Sequence, residues 1–341
     1  MELSTPLLSP TSARRDQCGQ RLIRVGTAVV YVLALALVAL IMGVVVFIIA
    51  QANPIEIPED SVNSFWGISY NPARANQWCP TVDQVVEDLR LLAPMTTRLR
   101  TYGSGCHLEA ILGALEKHHD EFSHFRLMVG IQLTSSNDGN QGAIREMFRI
   151  IKKHSTRQID TISVGNEVVL RHTLAVDTLI NLIRQVRNEL GKQYLTRIAV
   201  VTVDVLKTFT HNPRLVHEVD YVVANLHPYF VQGLDASQAA GVTFSQLHEL
   251  QDRALDKPII IGETGWPSSG DAPRTSIAAY NTYMKEFICQ ATRANIHFYW
   301  FEAFDAAWKT GVDEIERHWG VFDSDRHNKS GLALPPFNDC N

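Results

Sequence analysis

The sequence predicts a (β/α)8 barrel, on three observations. Between residues 64 and 325, short β-branched runs alternate with helical patterns, and the cycle completes eight times. Residues 258–263 run Pro-Ile-Ile-Ile-Gly-Glu, a stretch apolar on both faces, as strands of a buried parallel sheet are. No glycine-rich phosphate loop follows any strand, although the rival architecture, an open doubly wound sheet, often carries one at its switch point.

The elements follow in order. The first strand spans 65–70, and Thr81 opens a helix with Val85, Leu89 and Leu92 at helical spacing. Strand two spans 96–102, with a helix over 107–122. Strand three spans 126–133, with a helix over 142–154. Strand four spans 161–168, and the long helix after it covers 174–190. Strand five spans 197–204, with a helical stretch over 213–219. Strand six spans 221–230, with a helix over 244–255. Strand seven spans 258–263, with a helix over 276–295, and 297–304 is strand eight.

The N-terminal part has another character. Residues 1–24 are polar and carry Arg14, Arg15, Arg21 and Arg24, while 25–50 contain no charged side chain. That apolar run exceeds the roughly 20 residues a helix needs to cross a bilayer, and also the roughly 7–15 of a signal-peptide core. It predicts an uncleaved signal anchor, with 1–24 as a cytosolic tail. Residues 51–63, with Pro54 and Pro58, are a linker, and 64–341 are a single-pass type II catalytic domain on the extracellular or lumenal side. The lipid bilayer is then a partner of the chain. The competing reading is secretion after cleavage at Ala50-Gln51-Ala52.

The 341 residues carry a formal net charge of −5 with 20% charged side chains, which lacks the basic excess of a nucleic-acid-binding domain. Cys18 falls on the cytosolic side as a free thiol or acylation site. Cys79, Cys106, Cys289 and Cys340 form an even set in an oxidising compartment. Cys79 and Cys106 follow the first two strands, whose loops are neighbours, so the expected pairs are Cys79–Cys106 and Cys289–Cys340. No Cys/His spacing resembles a zinc site, and neither a metal nor a cofactor is expected. Asn328-Lys329-Ser330 is one glycosylation sequon.

In a β/α barrel the C-terminal strand ends converge on one face. Here they deliver Tyr70, Arg100, Tyr102, Asn166, Glu167, Asp204, His227, Tyr229, Glu263, Trp266, Glu302 and Asp305. Carboxylates, amides and aromatics in that mixture suit a sugar, whose ring stacks on aromatic faces while polar groups hold its hydroxyls. Each member has a plain structural alternative: Arg100 as a counter-ion, Asp204 as a helix cap. Two strands ending in a glutamate, Glu167 and Glu263, match the pair of carboxylates that retaining glycosidases need.

Val164-Gly165-Asn166-Glu167-Val168 and Gly262-Glu263-Thr264-Gly265-Trp266-Pro267-Ser268 resemble the two catalytic motifs of the family 17 glycoside hydrolases. These are retaining enzymes that act on β-1,3-glucans, and they include hydrolases and glucanosyltransferases. The likeness covers residues 64–325 and is closest to the short fungal-type members. It implies Glu167 as general acid/base, with its pKa raised by burial or a nearby anion. It implies Glu263 as an ionised nucleophile, and Asn166 as the partner of the sugar 2-hydroxyl. Tyr229 is expected to hydrogen-bond Glu263. Arg100-Thr101-Tyr102-Gly103, Phe301-Glu302-Ala303-Phe304-Asp305 with Trp308 and Lys309, and His318-Trp319-Gly320 resemble further cleft segments of the family. Tyr70, Arg100, Tyr102, His227, Tyr229, Trp266, Glu302, Asp305, Trp308 and Lys309 are therefore the expected substrate-binding set. The chain departs from the family at Gly105 and Ala306, where an acidic residue is usual, and at His227, where plant members tend to have Tyr. The alternative from another class is a wall-glucan-binding protein without turnover; two intact glutamates argue against it.

Overall fold

The structure, a computed structural model, describes residues 65–193, 195–337 and 340, together with Leu37 and Val38. The expected tail, anchor and linker over 1–63 lie outside the described residues apart from those two positions. Among the described residues no helix is long and apolar enough to cross a membrane.

Within the unit Glu59–Asn341, eight strands close into an all-parallel barrel in chain order. They are β1 (Gly67–Ser69), β2 (Arg98–Arg100), β3 (Arg126–Ile131) and β4 (Ile159–Asn166), followed by β5 (Ala199–Val205), β6 (Val222–Asn225), β7 (Ile259–Thr264) and β8 (Phe298–Trp300). β1 pairs with both β2 and β8, which closes the ring. Ile162, Val164, Val203, Val223 and Ile261 are fully buried, the burial on both faces that the β-branched runs require.

The major helices are α1 (Val82–Leu92), α2 (Cys106–Lys117), α4 (Asn137–Lys153), α5 (Val176–Lys192), α8 (Ala236–Gln251) and α9 (Ile277–Arg293). Short helices α3 (His119–Phe122), α6 (Leu206–His211) and α7 (Pro213–Glu218) fill the connections. α1 starts at a reciprocal cap: the Thr81 side chain accepts from the Gln84 amide while the Gln84 side chain accepts from the Thr81 amide. Its Val85, Leu89 and Leu92 are fully buried, one helical face turned to the core.

Several strands are shorter than the sequence pattern suggests, β6 and β8 by the most. β6 ends at Asn225 rather than 230 because Pro228 has no amide to donate, and Pro228–Phe230 turn into a 3-10 helix. β8 ends at Trp300 rather than 304. The Glu302 amide donates to the Trp319 carbonyl, outside the sheet, which interrupts the ladder, although the Ala303 amide still reaches the Ser69 carbonyl at the end of β1. Disulfides join Cys79 to Cys106 and Cys289 to Cys340, with Cα–Cα distances of 5.5 and 5.1 Å.

Candidate active site

At the C-terminal ends of the strands lies a groove of about 1080 Å³. Glu167 and Glu263 both line it.

Glu263 is nearly buried, 4% exposed, at the end of β7. Arg100, at the end of β2, reaches under it: Nη1 donates to Glu263 Oε1 at 2.6 Å and to the Gly262 carbonyl at 2.9 Å. His227 Nε2 lies 3.0 Å from the other oxygen, Oε2. A carboxylate can only accept, so Nε2 carries the hydrogen. Burial alone would push the Glu263 carboxyl up, but the Arg100 charge and the His227 hydrogen bond outweigh it and hold the carboxyl at about 2. This glutamate is held as an anion.

Glu167 is placed by an irregularity. The register of β4 against β5 shifts between Ser163 and Asn166, and Gly165 and Glu167 take positive φ angles of 83° and 54°. A bulge at a strand end re-aims the side chain beyond it, and Gly165 adopts the left-handed conformation without a Cβ penalty. The Glu167 amide donates to the Val203 carbonyl at 2.8 Å, which fixes the turned segment to β5. Its Oε1 accepts from Asn225 Nδ2 at 2.8 Å, and its Oε2 from Arg171 Nη2 at 2.7 Å. The charged partner of Glu167 is thus a guanidinium on its own loop.

A polar chain links the two glutamates. Asn166 Oδ1 accepts from Arg100 Nη2 at 2.8 Å and from Asn225 Nδ2 at 3.1 Å. The path runs Glu263–Arg100–Asn166–Asn225–Glu167, with members from β7, β2, β4 and β6. Tyr102 supports it, its ring centroid 4.7 Å from the Arg100 guanidinium carbon.

Glu302 is a third carboxyl on the groove, 3% exposed. Burial raises it to about 7; Lys309, 3.8 Å away, opposes that, while the charges of Glu263, Asp305 and Glu316 add to it. Its Oε1 is buried and has no hydrogen-bond partner.

Of the expected residues, Asn166, Glu167, Tyr102, His227, Glu263, Glu302, Trp308 and Lys309 line the groove, and Arg100 lies beneath it. Five others do not line it. Tyr70 is fully buried and donates to Asp88 Oδ2 at 2.8 Å; Asp88 also pairs with Arg74 and Arg326. Trp266 is fully buried, with Nε1 donating to the Arg274 carbonyl at 3.1 Å. Asp305 accepts from Lys329 Nζ at 2.7 Å and from the Gly320 amide at 2.9 Å. Tyr229 does not bond Glu263: its hydroxyl donates to Asp271 Oδ2 at 2.7 Å, and His227 takes the position expected of it. The cause is the turn at Pro228, which swings Tyr229 away from the strand end. Asp204 accepts from Thr208 Oγ1 and from the Val205 and Val169 amides, a structural anchor at the start of α6.

Sequence reasoning missed Asn225, Arg171, Trp78 and Phe230, all of which line the groove. Asn225 carried a signal, a lone amide closing the apolar run Val222-Val223-Ala224. Extending the strand to 230 hid it.

Comparison with known proteins agrees with this geometry. The BtgE/BtgC glycoside hydrolase domain matches residues 67–320. An Aspergillus fumigatus protein named "Probable glucan endo-1,3-beta-glucosidase btgC" is 31% identical over 302 residues, which are 81% of this chain and 42% of that protein. The Emericella nidulans "Glucan endo-1,3-beta-glucosidase btgC" is 28% identical over 81% of this chain and 45% of its own length. The chain therefore spans less than half the length of these curated relatives. An active-site mutant of the Rhizomucor miehei beta-1,3-glucanosyltransferase, solved with laminaritriose, superposes with a TM-score of 0.70 at 30% identity, over 79% of this chain and 97% of that one. This chain belongs to the BtgE/BtgC glycoside hydrolases, within glycoside hydrolase family 17.

Proposed function

We propose that this glycoside hydrolase cleaves β-1,3-glucan with retention, through a covalent glycosyl-enzyme formed on Glu263. The observation that carries the reading is the polar chain between the two glutamates, one of them held ionised by Arg100 and His227. The substrate class rests on what the relatives are named for: β-1,3-glucosidase, β-1,3-glucanosyltransferase, and a complex with laminaritriose.

In the first step Glu263 attacks the anomeric carbon, while Glu167 gives its proton to the departing glycosidic oxygen. The carbon–oxygen bond breaks as the ester to Glu263 forms. In the second step Glu167, now a carboxylate, takes a proton from water or from a sugar hydroxyl. The oxygen so activated attacks the same carbon and frees Glu263. Water gives hydrolysis; a glucan hydroxyl gives glucanosyl transfer, the chemistry of cell-wall glucan remodelling. Arg171 must yield its hold on Glu167 for the proton to sit there.

The roles are separable by experiment. Glu167→Ala should still form the intermediate from a substrate with an activated aryl leaving group, because that group needs little protonation. Azide should then restore turnover and give the β-glycosyl azide. Glu263→Ala with azide should give the α-azide. Exchanged products would exchange the roles, and full glucan activity in both variants would place the site elsewhere.

The chain's address belongs to the same proposal. The uncharged run at 25–50, with arginines before it, supports a type II anchor that keeps the barrel outside the cytosol. Membrane partition with residues 1–50 attached is the expected result. A mature N-terminus at Asn53 would make the protein secreted.

A further inference from the structure

We propose that Trp78 and Trp308 form a stacking platform for the glucan sugars on the donor side of the cleavage point, and that the Cys79–Cys106 bridge sets its position. The inference rests on the roles given above to Glu167 and Glu263.

Trp78 is the observation that needs an account. It is 53% exposed on the loop after β1, yet it lines the same groove as the two glutamates. An indole left in water forgoes much of the burial that makes it worth keeping in a fold. Its backbone, by contrast, is held from three sides. The Trp78 carbonyl accepts from His107 Nε2 at 2.6 Å. Cys79 is bonded to Cys106, the first residue of α2, and its carbonyl accepts from Gln77 Nε2 at 2.8 Å. The His107 ring packs at 4.5 Å against the indole. A side chain left open on an immobilised backbone is pre-organised for a ligand.

The second wall comes from the other side of the barrel seam. Trp308, in the segment after β8, stands nearly perpendicular to Trp78, with ring centroids 5.2 Å apart and an interplanar angle of 73°. β8 and β1 are paired neighbours, so these two loops meet above the seam. In the same groove Glu302 Oε1, buried without a hydrogen-bond partner and 3.8 Å from Lys309 Nζ, can accept a sugar hydroxyl. An apolar wall with one polar group aimed beside it is what a pyranose needs: its C–H face stacks and its hydroxyl edge bonds.

The direction follows from the chemistry. Glu167, just past the end of β4, protonates the leaving oxygen, so the leaving sugars lie over the β4–β6 loops, where Leu170, Lys207 and Phe230 line the groove. The sugar under attack is held at Glu263, on β7. In a closed barrel the next positions beyond β7 are β8 and β1. The chain of sugars that stays on the enzyme therefore passes over Trp308 and then Trp78.

The test uses the full chain and aryl β-laminari-oligosaccharides of two, three and four glucose units with one leaving group throughout. Only the donor side then changes. Wild-type kcat/KM should rise with length. In Trp78→Ala, the ratio of kcat/KM for the longest to the shortest substrate should fall about three- to tenfold, the scale of one aromatic stacking contact, mainly through KM. Trp308→Ala should behave likewise. The double variant Cys79→Ser/Cys106→Ser should lose the same ratio, and Cys289→Ser/Cys340→Ser should keep it; unchanged circular dichroism confirms that each variant folds. A loss equal at every length, or one seen only when the leaving side is lengthened, overturns the proposal. No turnover of any aryl substrate by the wild type would instead strike the glycosidase reading itself.

Discussion

Arg100 Nη1 lies 2.6 Å from Glu263 Oε1, with the two side chains 1% and 6% exposed. A pair so buried is sensitive to the loss of one member, because the charge left behind has no solvent. The same guanidinium also bonds Asn166, so one arginine orients groups on two strands.

Arg100→Met should therefore be destabilised by about 3–5 kcal/mol, the usual cost of stranding a buried charge. Glu263 in the wild type has its carboxyl lowered from 4.5 to about 2, so the stability it contributes is present above pH 4.5 and lost as pH falls through 2. The Tm gap between wild type and Arg100→Met should narrow across that window. The acid limb of kcat/KM should move to higher pH in the variant. A flat gap and an unmoved limb would count against the pairing.

Glu302 has the opposite sign. Its carboxyl is raised from 4.5 to about 7, so the folded state keeps a proton that the unfolded chain has already released. Stability should fall as pH rises through that interval, by at most about 3 kcal/mol, and level off above it. Glu302→Gln should remove this slope. Chemical denaturation of both proteins between pH 4 and 8.5 checks it.

Asn225 donates to both Asn166 and Glu167, at 3.1 and 2.8 Å. Asn225→Ala leaves both without that donor. We expect kcat on glucan to fall roughly tenfold to hundredfold, the penalty of a slightly misplaced catalytic group, with a much smaller change in Tm. A fall in Tm that tracked the loss of activity would make Asn225 merely structural.

Gly265 follows the Glu263-Thr264 pair, and a Cβ there would lie 2.2 Å from the Phe301 carbonyl oxygen. Backbone cannot swing aside as a side chain can. Gly265→Ala should cost about 1–3 kcal/mol and disturb the β7–β8 edge of the cleft. Thermal melts together with glucan turnover read both effects.

The features legible in the amino-acid order are periodic and local. Val, Ile and Leu runs with a glutamate or an amide at the end specify buried parallel strands, and the 3.6-residue spacing of Val85, Leu89 and Leu92 specifies a helix face. Those patterns place Glu167 and Glu263 at strand ends, where a barrel collects its chemistry. Tertiary structure decided the rest, because contact between segments far apart in the chain leaves no periodic mark. Arg100 and Glu263 are 163 positions apart, yet the second and seventh strands bring them into one ion pair. His227 rather than Tyr229 reached Glu263 because Pro228 ended the strand ladder and turned the chain. Tyr70 and Trp266 sit next to strand ends as the pattern said, but buried partners drew their polar atoms away from the groove. Asp305 lies beyond the early end of β8 and is tied to Lys329 instead. Trp78 shows the converse: nothing in its neighbours' spacing marks it, and only the closure of β1 on β8 sets it against Trp308.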